Sequence, residues 1–368
     1  MVISVISDLV TDQRVNRSAM ALHEEGWDVL LIGRIRPGSP EVEHRPYSVK
    51  RFHLWFDKGP LFYMNYNIRL FFFLLFKKFD VAFSNDLDTL PANFIAAKLK
   101  NRQLVYDSHE YFTGVPELAE RKVTRGIWRM LEKLFVTRTQ HLFTVNESIA
   151  ALYKADYDAD FKVLRNVPLI EHQEILSKEA YRKKLQLPEN KFIYILQGSG
   201  INIQRGGEEA VEAMQHVDGL LLIVGSGDVI DVLKQNVIDL SLQDKVIFKG
   251  RMSYNAMMEY TRAADVGLTL DKDTNVNYRF SLPNKLFDYI HAGIPVLASD
   301  LTEIKKIVQG YDIGLITDTH QPLKLAEWMN RMKVPAAMLQ WKINLPKAAA
   351  ELNWQHEKTV LTTTFRNL

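Results

Sequence analysis

There is no cysteine in these 368 residues. Disulfides, thiolate metal centres and a cysteine nucleophile are therefore excluded, and the chain fits a reducing compartment. An excess of charge is missing as well: 46 Lys and Arg stand against 44 Asp and Glu, with 23 against 20 through residue 165 and 23 against 24 beyond it. Nucleic-acid binders carry a basic domain or face, so nucleic acid is not an expected partner. Long apolar runs are also lacking. The stretch LFFFLLF at 70–76 has seven residues, where a membrane-spanning helix needs about 20. No H-E-x-x-H, G-x-S-x-G or G-x-x-x-x-G-K-[ST] pattern occurs, which removes three common catalytic frameworks. The opening MVISVISDLV lacks the basic flank and apolar core of a signal peptide and reads as a first buried strand, so a cytoplasmic location is expected.

What the chain does have is rhythm. Short apolar runs alternate with longer amphipathic ones. Strands are expected at 2–6, 28–32, 80–83, 103–106 and 141–145, with helices between them at 13–25 and 91–99. The rhythm stops near VLRNVP (163–168), passes through a polar, helical connection at 169–190, and restarts with strands at 192–196, 220–224, 245–248, 266–270 and 295–298. The length suits two domains. The expected fold class is α/β, with two Rossmann-like, doubly wound parallel-sheet domains, 1–166 and 167–350, facing a cleft; the tail reads as a terminal helix with Trp354 near its start. The run at 70–76 is apolar all round, which fits a core helix between two strands. That is the favoured reading; the alternative is that its flank, from Phe62 to Lys78, makes an interfacial helix with a basic end and a peripheral contact with a membrane.

Ligands of such sheets bind beyond the carboxyl ends of the strands. One such loop is QGSGINIQRGG (197–207), where Gly198 and Gly200 allow close backbone approach and Arg205 offers a forked cation for a diphosphate. Ile203 breaks the dinucleotide fingerprint. GSGD (225–228) reads as a structural turn, and KGRMS (249–253) places Gly250 and Met252 at a strand end, where backbone groups could read a base. YDSHEYF (106–112) clusters Asp107, His109 and Glu110 directly after a buried strand, and a histidine there can donate to a sugar hydroxyl or a phosphate. In NDLDT (85–89), Asp88 is expected to cap the following helix, since two carboxylates alone specify no metal.

The most informative stretch is SLPNKLFDYIHAGIPVLASD (281–300). Ser281 is the expected N-cap, Pro283 suits the first turn, and Gly293 ends the helix. Leu286, Phe287 and Ile290 should face a core, while Lys285 and Asp288 share another face. That face is either a solvated ion pair or, with the free N–H groups of the helix start, a phosphate seat with a carboxylate one turn further on.

Taken with DQRVNRSAMALHEEGWDV, FTVNESIA and RAADVGL, these stretches resemble the retaining glycosyltransferases of family 4, the glycosyl transferases group 1, and specifically their SLPNK-type subgroup. The resemblance implies the GT-B architecture, with 351–368 as a terminal helix crossing back to the N-terminal domain. It implies sugar transfer from a nucleotide-sugar to a glycan or lipid-linked glycan in surface polysaccharide assembly, with retention at the anomeric carbon and neither metal nor other cofactor. Carried over residue by residue, Arg205 and Lys285 meet the donor diphosphate, with Leu282, Pro283 and Asn284 adding backbone contacts. Asp288 falls where a glutamate commonly holds the ribose, Gly250 to Met252 read the base, and Gly198 and Ser199 line the donor. His109 contacts the donor sugar, and Asp12, Arg14, Asp107 and Glu110 lie on the acceptor side, Asp12 and Arg14 on the first loop. Ser199 stands where an Arg often follows the first glycine. Phe280 stands where many members have a glutamate, eight positions before the ribose acid. Two alternatives stay open: a nucleotide-sugar 2-epimerase of the same architecture, and a non-catalytic nucleotide-sugar-binding subunit.

Overall fold

A computed structural model describes residues 1–10, 12–115, 118, 121–170 and 175–368. Part of the expected connection at 169–190 lies outside the described residues; within the rest of it, one helix forms, Lys178–Lys184. The chain divides into two compact units, Met1–Asn166 with His356–Leu368, and Val167–Gln355.

The first unit holds seven strands: β1 Val2–Ser4, β2 Leu30–Ile35, β3 Ser48–His53, β4 Val81–Asn85, β5 Gln103–Ser108, β6 His141–Thr144 and β7 Lys162–Val163. They pair in the order β3-β2-β1-β4-β5-β6-β7, parallel throughout. The central strand β4 is buried along its whole length, which a parallel sheet covered by helices on both faces requires. The sequence reading misses β3 and β7. β3 runs SVKRFH along the sheet edge with alternate residues open to solvent, and β7 has only two residues. Edge strands carry charge and lack the continuous apolar run that betrays a central strand.

The second unit holds β8 Ile193–Gly198, β9 Leu220–Gly225, β10 Val246–Lys249, β11 Val266–Thr269, β12 Val296–Ser299 and β13 Gly314–Thr317, in the order β10-β9-β8-β11-β12-β13 and again parallel. Tyr194, Leu221, Leu268 and Leu297 from four of these strands meet Met329 and Trp341 of the covering helices in one core. The short edge strand β13 is the one the sequence reading misses.

In both sheets the strand order reverses at one place, between β1 and β4 in the first and between β8 and β11 in the second. Such switch points open a crevice at the carboxyl ends of the strands. The helix Trp354–Arg366 closes the chain; Phe365 packs edge-on against Trp27 at 6.0 Å between ring centres, and Arg366 forks onto Glu25.

Two local expectations are corrected. The helix of the 281–300 stretch runs Asn284–Ala292 with Pro283, not Ser281, at its N-cap. A residue before proline is pushed out of the helical region, so the helix cannot start earlier, and the Ser281 hydroxyl is buried without a hydrogen-bond partner among the described residues. Gly293, at φ 71°, ends the helix in the left-handed conformation as expected. The apolar run at 70–76 belongs to the helix Gly59–Phe76, which is not wholly a core helix: Phe62, Tyr66, Leu70 and Leu74 are buried, whereas Phe72 and Phe76 are exposed. Among the described residues no helix is long and apolar enough to cross a membrane.

Candidate functional site

Chemistry-bearing side chains gather at each switch point. In the first unit they come from the ends of β4 and β5 and from the helix that follows β1. Arg14 lies in the first turn of the helix Gln13–Glu24, rather than on the loop before it, and points into the protein. It grips Asp107 with two hydrogen bonds, Nε to Oδ2 at 3.0 Å and Nη2 to Oδ1 at 2.6 Å, and donates a third to the Leu164 carbonyl at 2.8 Å. Burial alone would raise the Asp107 carboxyl; Arg14 and then His109 outweigh it and hold the group well below the usual carboxylate range.

His109 stands between two carboxylates. Its Nδ1 is 3.2 Å from Asp86 and its Nε2 is 3.3 Å from Asp107, with Asn85 also 3.3 Å from Nε2. Its backbone N–H donates to Asp86 at 2.9 Å. Burial would lower the imidazole, but Asp86 and Asp107 reverse this and lift it to about 9. His109 is thus an imidazolium at neutral pH, a fixed cation partly open to solvent.

The other first-unit residues behave differently. Asp12 caps the helix Gln13–Glu24, accepting from the Val15 N–H at 3.1 Å and from Ser7 at 2.9 Å. Glu110 is exposed, and its main-chain carbonyl accepts from Ser108 at 2.6 Å. Asp88 does not cap the helix Leu90–Lys100, whose N-cap is Thr89. The Asp88 side chain is instead buried, with Oδ1 unpartnered among the described residues, and burial followed by the neighbouring Asp86 raises its pKa well above the usual range. Among the described residues no group of three or more acids, histidines or cysteines is arranged to hold a metal ion.

In the second unit the loops after β8, β9 and β11 interlock. Gly225 lies at φ 126°, and a Cβ there would meet the Gly198 carbonyl at 1.9 Å, so the two loops touch backbone to backbone. Gly206, at φ 75°, packs the start of the helix Gly207–Ala213 onto Leu270, where a Cβ would come within 2.3 Å of the Leu270 side chain. This fixes Arg205 beside the end of β11. Arg205 donates from Nη1 to Asp271 at 3.1 Å and lies over the Tyr278 ring at 4.8 Å, while its Nε is buried without a hydrogen-bond partner among the described residues.

Lys285 and Asp288 are both buried, so the reading of them as a solvated pair is overturned. The Lys285 ammonium has no hydrogen bond or ion pair among the described residues. Burial lowers its pKa; Asp271 partly offsets that and Arg205 adds to it. Asp288 accepts from Tyr254 at 2.9 Å and from Gln197 at 3.2 Å, and Gln197 is held in turn by Thr261 at 2.5 Å. Ser199 is exposed on the loop after β8, Gly250 and Met252 follow β10, and Leu282 and Pro283 precede the Asn284–Ala292 helix, as the sequence places them.

The structure therefore groups Arg205, Lys285 and Asp288 at one switch point and Arg14, Asp107 and His109 at the other. Sequence reasoning missed Asp271, Tyr254 and Gln197, and the part played by Asp86. The signal for Asp271 was its place directly after the apolar run VGLTL.

Comparison with known proteins bears on the family and the fold. Residues 13–168 match the family model described as Glycosyltransferase Family 4, and residues 177–333 match Glycosyl transferases group 1. A comparison with curated protein sequences gives no significant match. Among solved structures, the sucrose-phosphate synthase of Thermosynechococcus elongatus superposes with a TM-score of 0.81 at 18% identity, covering 100% of this chain and 98% of that one. HepE of Anabaena, solved with UDP-glucose, gives 0.77 at 16% identity over 100% and 99%. WaaG, a glycosyltransferase involved in lipopolysaccharide biosynthesis, gives 0.69 at 16% identity over 97% and 98%. The first half of this chain belongs with glycosyltransferase family 4 and the second with the glycosyl transferases group 1: it is a glycosyltransferase of the GT-B fold.

Proposed function

We propose that the protein moves a sugar from a nucleotide-sugar to a hydroxyl of a glycan or lipid-linked glycan, with retention at the anomeric carbon. The observation that carries this reading is the pair of cations in the second unit. Lys285 is a buried lysine whose ammonium makes no hydrogen bond or ion pair among the described residues, next to an arginine hydrogen-bonded to Asp271. An unpaired buried cation is costly, and an anion arriving there removes the cost. The N–H groups at the start of the Asn284–Ala292 helix favour the same anion. A nucleoside diphosphate fits this charge pattern, and HepE, with the same fold, is seen with UDP-glucose.

In this reading Arg205 and Lys285 hold the diphosphate, with Leu282, Pro283 and Asn284 adding backbone contacts. Asp288, steadied by Gln197 and Tyr254, accepts from the ribose hydroxyls; Gly250 to Met252 meet the base, and Gly198 and Ser199 flank the sugar. His109, charged and orientated by Asp86 and Asp107, donates to a donor-sugar oxygen. Asp107 acts through Arg14 and His109, and Asp12 through the helix it caps, so both are positioning groups.

The bond from the anomeric carbon to the diphosphate oxygen breaks, and the acceptor oxygen bonds to that carbon on the same face. Its proton passes to the departing phosphate oxygen. Negative charge grows on the leaving group, and cations already in place stabilise it most at the transition state. Arg205 and Lys285 do the charge neutralisation a metal would otherwise do, so transfer is expected to survive chelation.

The test is Arg205→Ala and Lys285→Ala. Each should weaken donor binding and cut transfer by on the order of 10²-fold; full activity in either sinks the assignment. Release of free nucleotide from donor alone, with no acceptor, would point to a 2-epimerase instead.

A further inference from the structure

We propose that Arg34 seats an anionic group of the acceptor, the carboxylate or phosphate of an acidic sugar, with Asp88 donating to it; this rests on the reading above, with the first unit as the acceptor side. Arg34 is the penultimate residue of β2, at the carboxyl edge of the sheet. Its backbone N–H donates to the Ser7 carbonyl at 2.9 Å, so the loop that leaves β1 runs beside it. Arg34 is only 6% exposed, and its guanidinium lies over the Phe62 ring at 4.2 Å. Nε and Nη1 are both buried with no hydrogen-bond partner among the described residues.

Asp88, in the loop after β4, is also 6% exposed, and its Oδ1 has no partner among the described residues. The two groups interact electrostatically, yet they form no ion pair among the described residues. Both act on Tyr66, whose own hydroxyl is taken by the Val5 carbonyl at 2.7 Å. Asp88 also interacts with His109, which sets the pair beside the switch point between β1 and β4.

A buried structural arginine is held by hydrogen bonds, as Arg14 is by Asp107 and the Leu164 carbonyl. Arg34 has no such anchors among the described residues. The charges around it do not replace them: Asp57 is exposed, Asp8 accepts from the Val10 N–H and from Ser39, and Arg36 adds positive charge. Burial and then Asp86 favour the protonated form of Asp88, which carries an O–H donor and no charge. The vacant partner is therefore an acceptor of hydrogen bonds with negative charge. An anion here pairs the guanidinium and accepts from the acid, which removes the cost of burying both unpartnered. The hydroxyls of a neutral sugar leave the guanidinium charge in place.

The test is titration of the full chain, without nucleotide, with methyl glucuronoside, methyl glucoside 6-phosphate and methyl glucoside, followed by calorimetry and saturation-transfer NMR. At least one acidic probe should bind at least about tenfold more tightly than the neutral one, and the tighter of the two shows whether the seat takes a carboxylate or a phosphate. Arg34→Met should remove that preference, while its unfolding midpoint stays the same or rises and its binding of nucleotide-sugars is unchanged. Lys285→Met should keep the preference, which separates this seat from the diphosphate seat. Because donor and acidic probe are titrated apart, failure of one leaves the other readable. Equal binding of acidic and neutral probes by the wild type overturns the proposal, as does a preference that survives Arg34→Met. An Arg34→Met chain that does not fold also overturns it, since the guanidinium is then structural.

Discussion

Replacing His109 with asparagine removes one positive charge from between two carboxylates, and the effect should depend on pH in a defined way. Burial lowers the imidazole pKa, and Asp86 and Asp107, at 3.2 and 3.3 Å, overcome this and raise it to about 9. Against 6.5 in the unfolded chain, that is worth about 3 kcal/mol for the protonated form. The native state holds this proton more tightly than the unfolded state does. The stabilisation is therefore complete below about pH 6.5 and is lost as pH rises through about 9. About 3 kcal/mol is a ceiling, because Asp86, already raised by burial, can take up a proton when the cation is gone. The measurement is urea unfolding of wild type and His109→Asn across this range, with an NMR titration of the imidazole Hε1. The stability gap should be largest near pH 6 and close near pH 10, and the imidazole should titrate near 9. A gap that does not change with pH, or a midpoint near 6.5, refutes the reasoning.

Lys285→Met should raise stability, by about 1 kcal/mol, since it replaces a buried lysine with no hydrogen bond or ion pair among the described residues by an apolar chain of similar length, while donor binding is lost; chemical denaturation and calorimetry check the two halves. Gly206→Ala should cost at least about 2 kcal/mol, because it asks a side chain to adopt φ 75° with its Cβ 2.3 Å from the Leu270 side chain. A shift in the unfolding midpoint of under about 1 °C would contradict that packing.

The central strands and most of the site's residues were legible in the sequence because each rests on a local pattern. A strand buried on both faces reads as an apolar run, as in LLLIVG, and the loop after it is where ligand-binding groups sit. The edge strands β3 and β13 escaped because their partial exposure leaves no such run. Partnerships escaped for a different reason. Arg14 and Asp107 are 93 residues apart, and Gln197 and Asp288 are 91 apart; no spacing rule spans such distances, and the β-sheet order alone brings them together. The Lys285–Asp288 face shows the limit from the other side. Helical periodicity placed both residues on one side of one helix, but whether that side was wet or buried depended on the strands and helices packed over it.

Donor binding tests the central claim most directly. Thermal unfolding of the wild type and Lys285→Met should be followed with UDP-, GDP- and ADP-sugars in turn. At ~100 times its dissociation constant, a donor should add about 2.7 kcal/mol to the apparent stability of the wild type and nothing to the variant. If no nucleotide-sugar stabilises the wild type, or if the variant gains as much, the diphosphate seat at Arg205 and Lys285 is wrong.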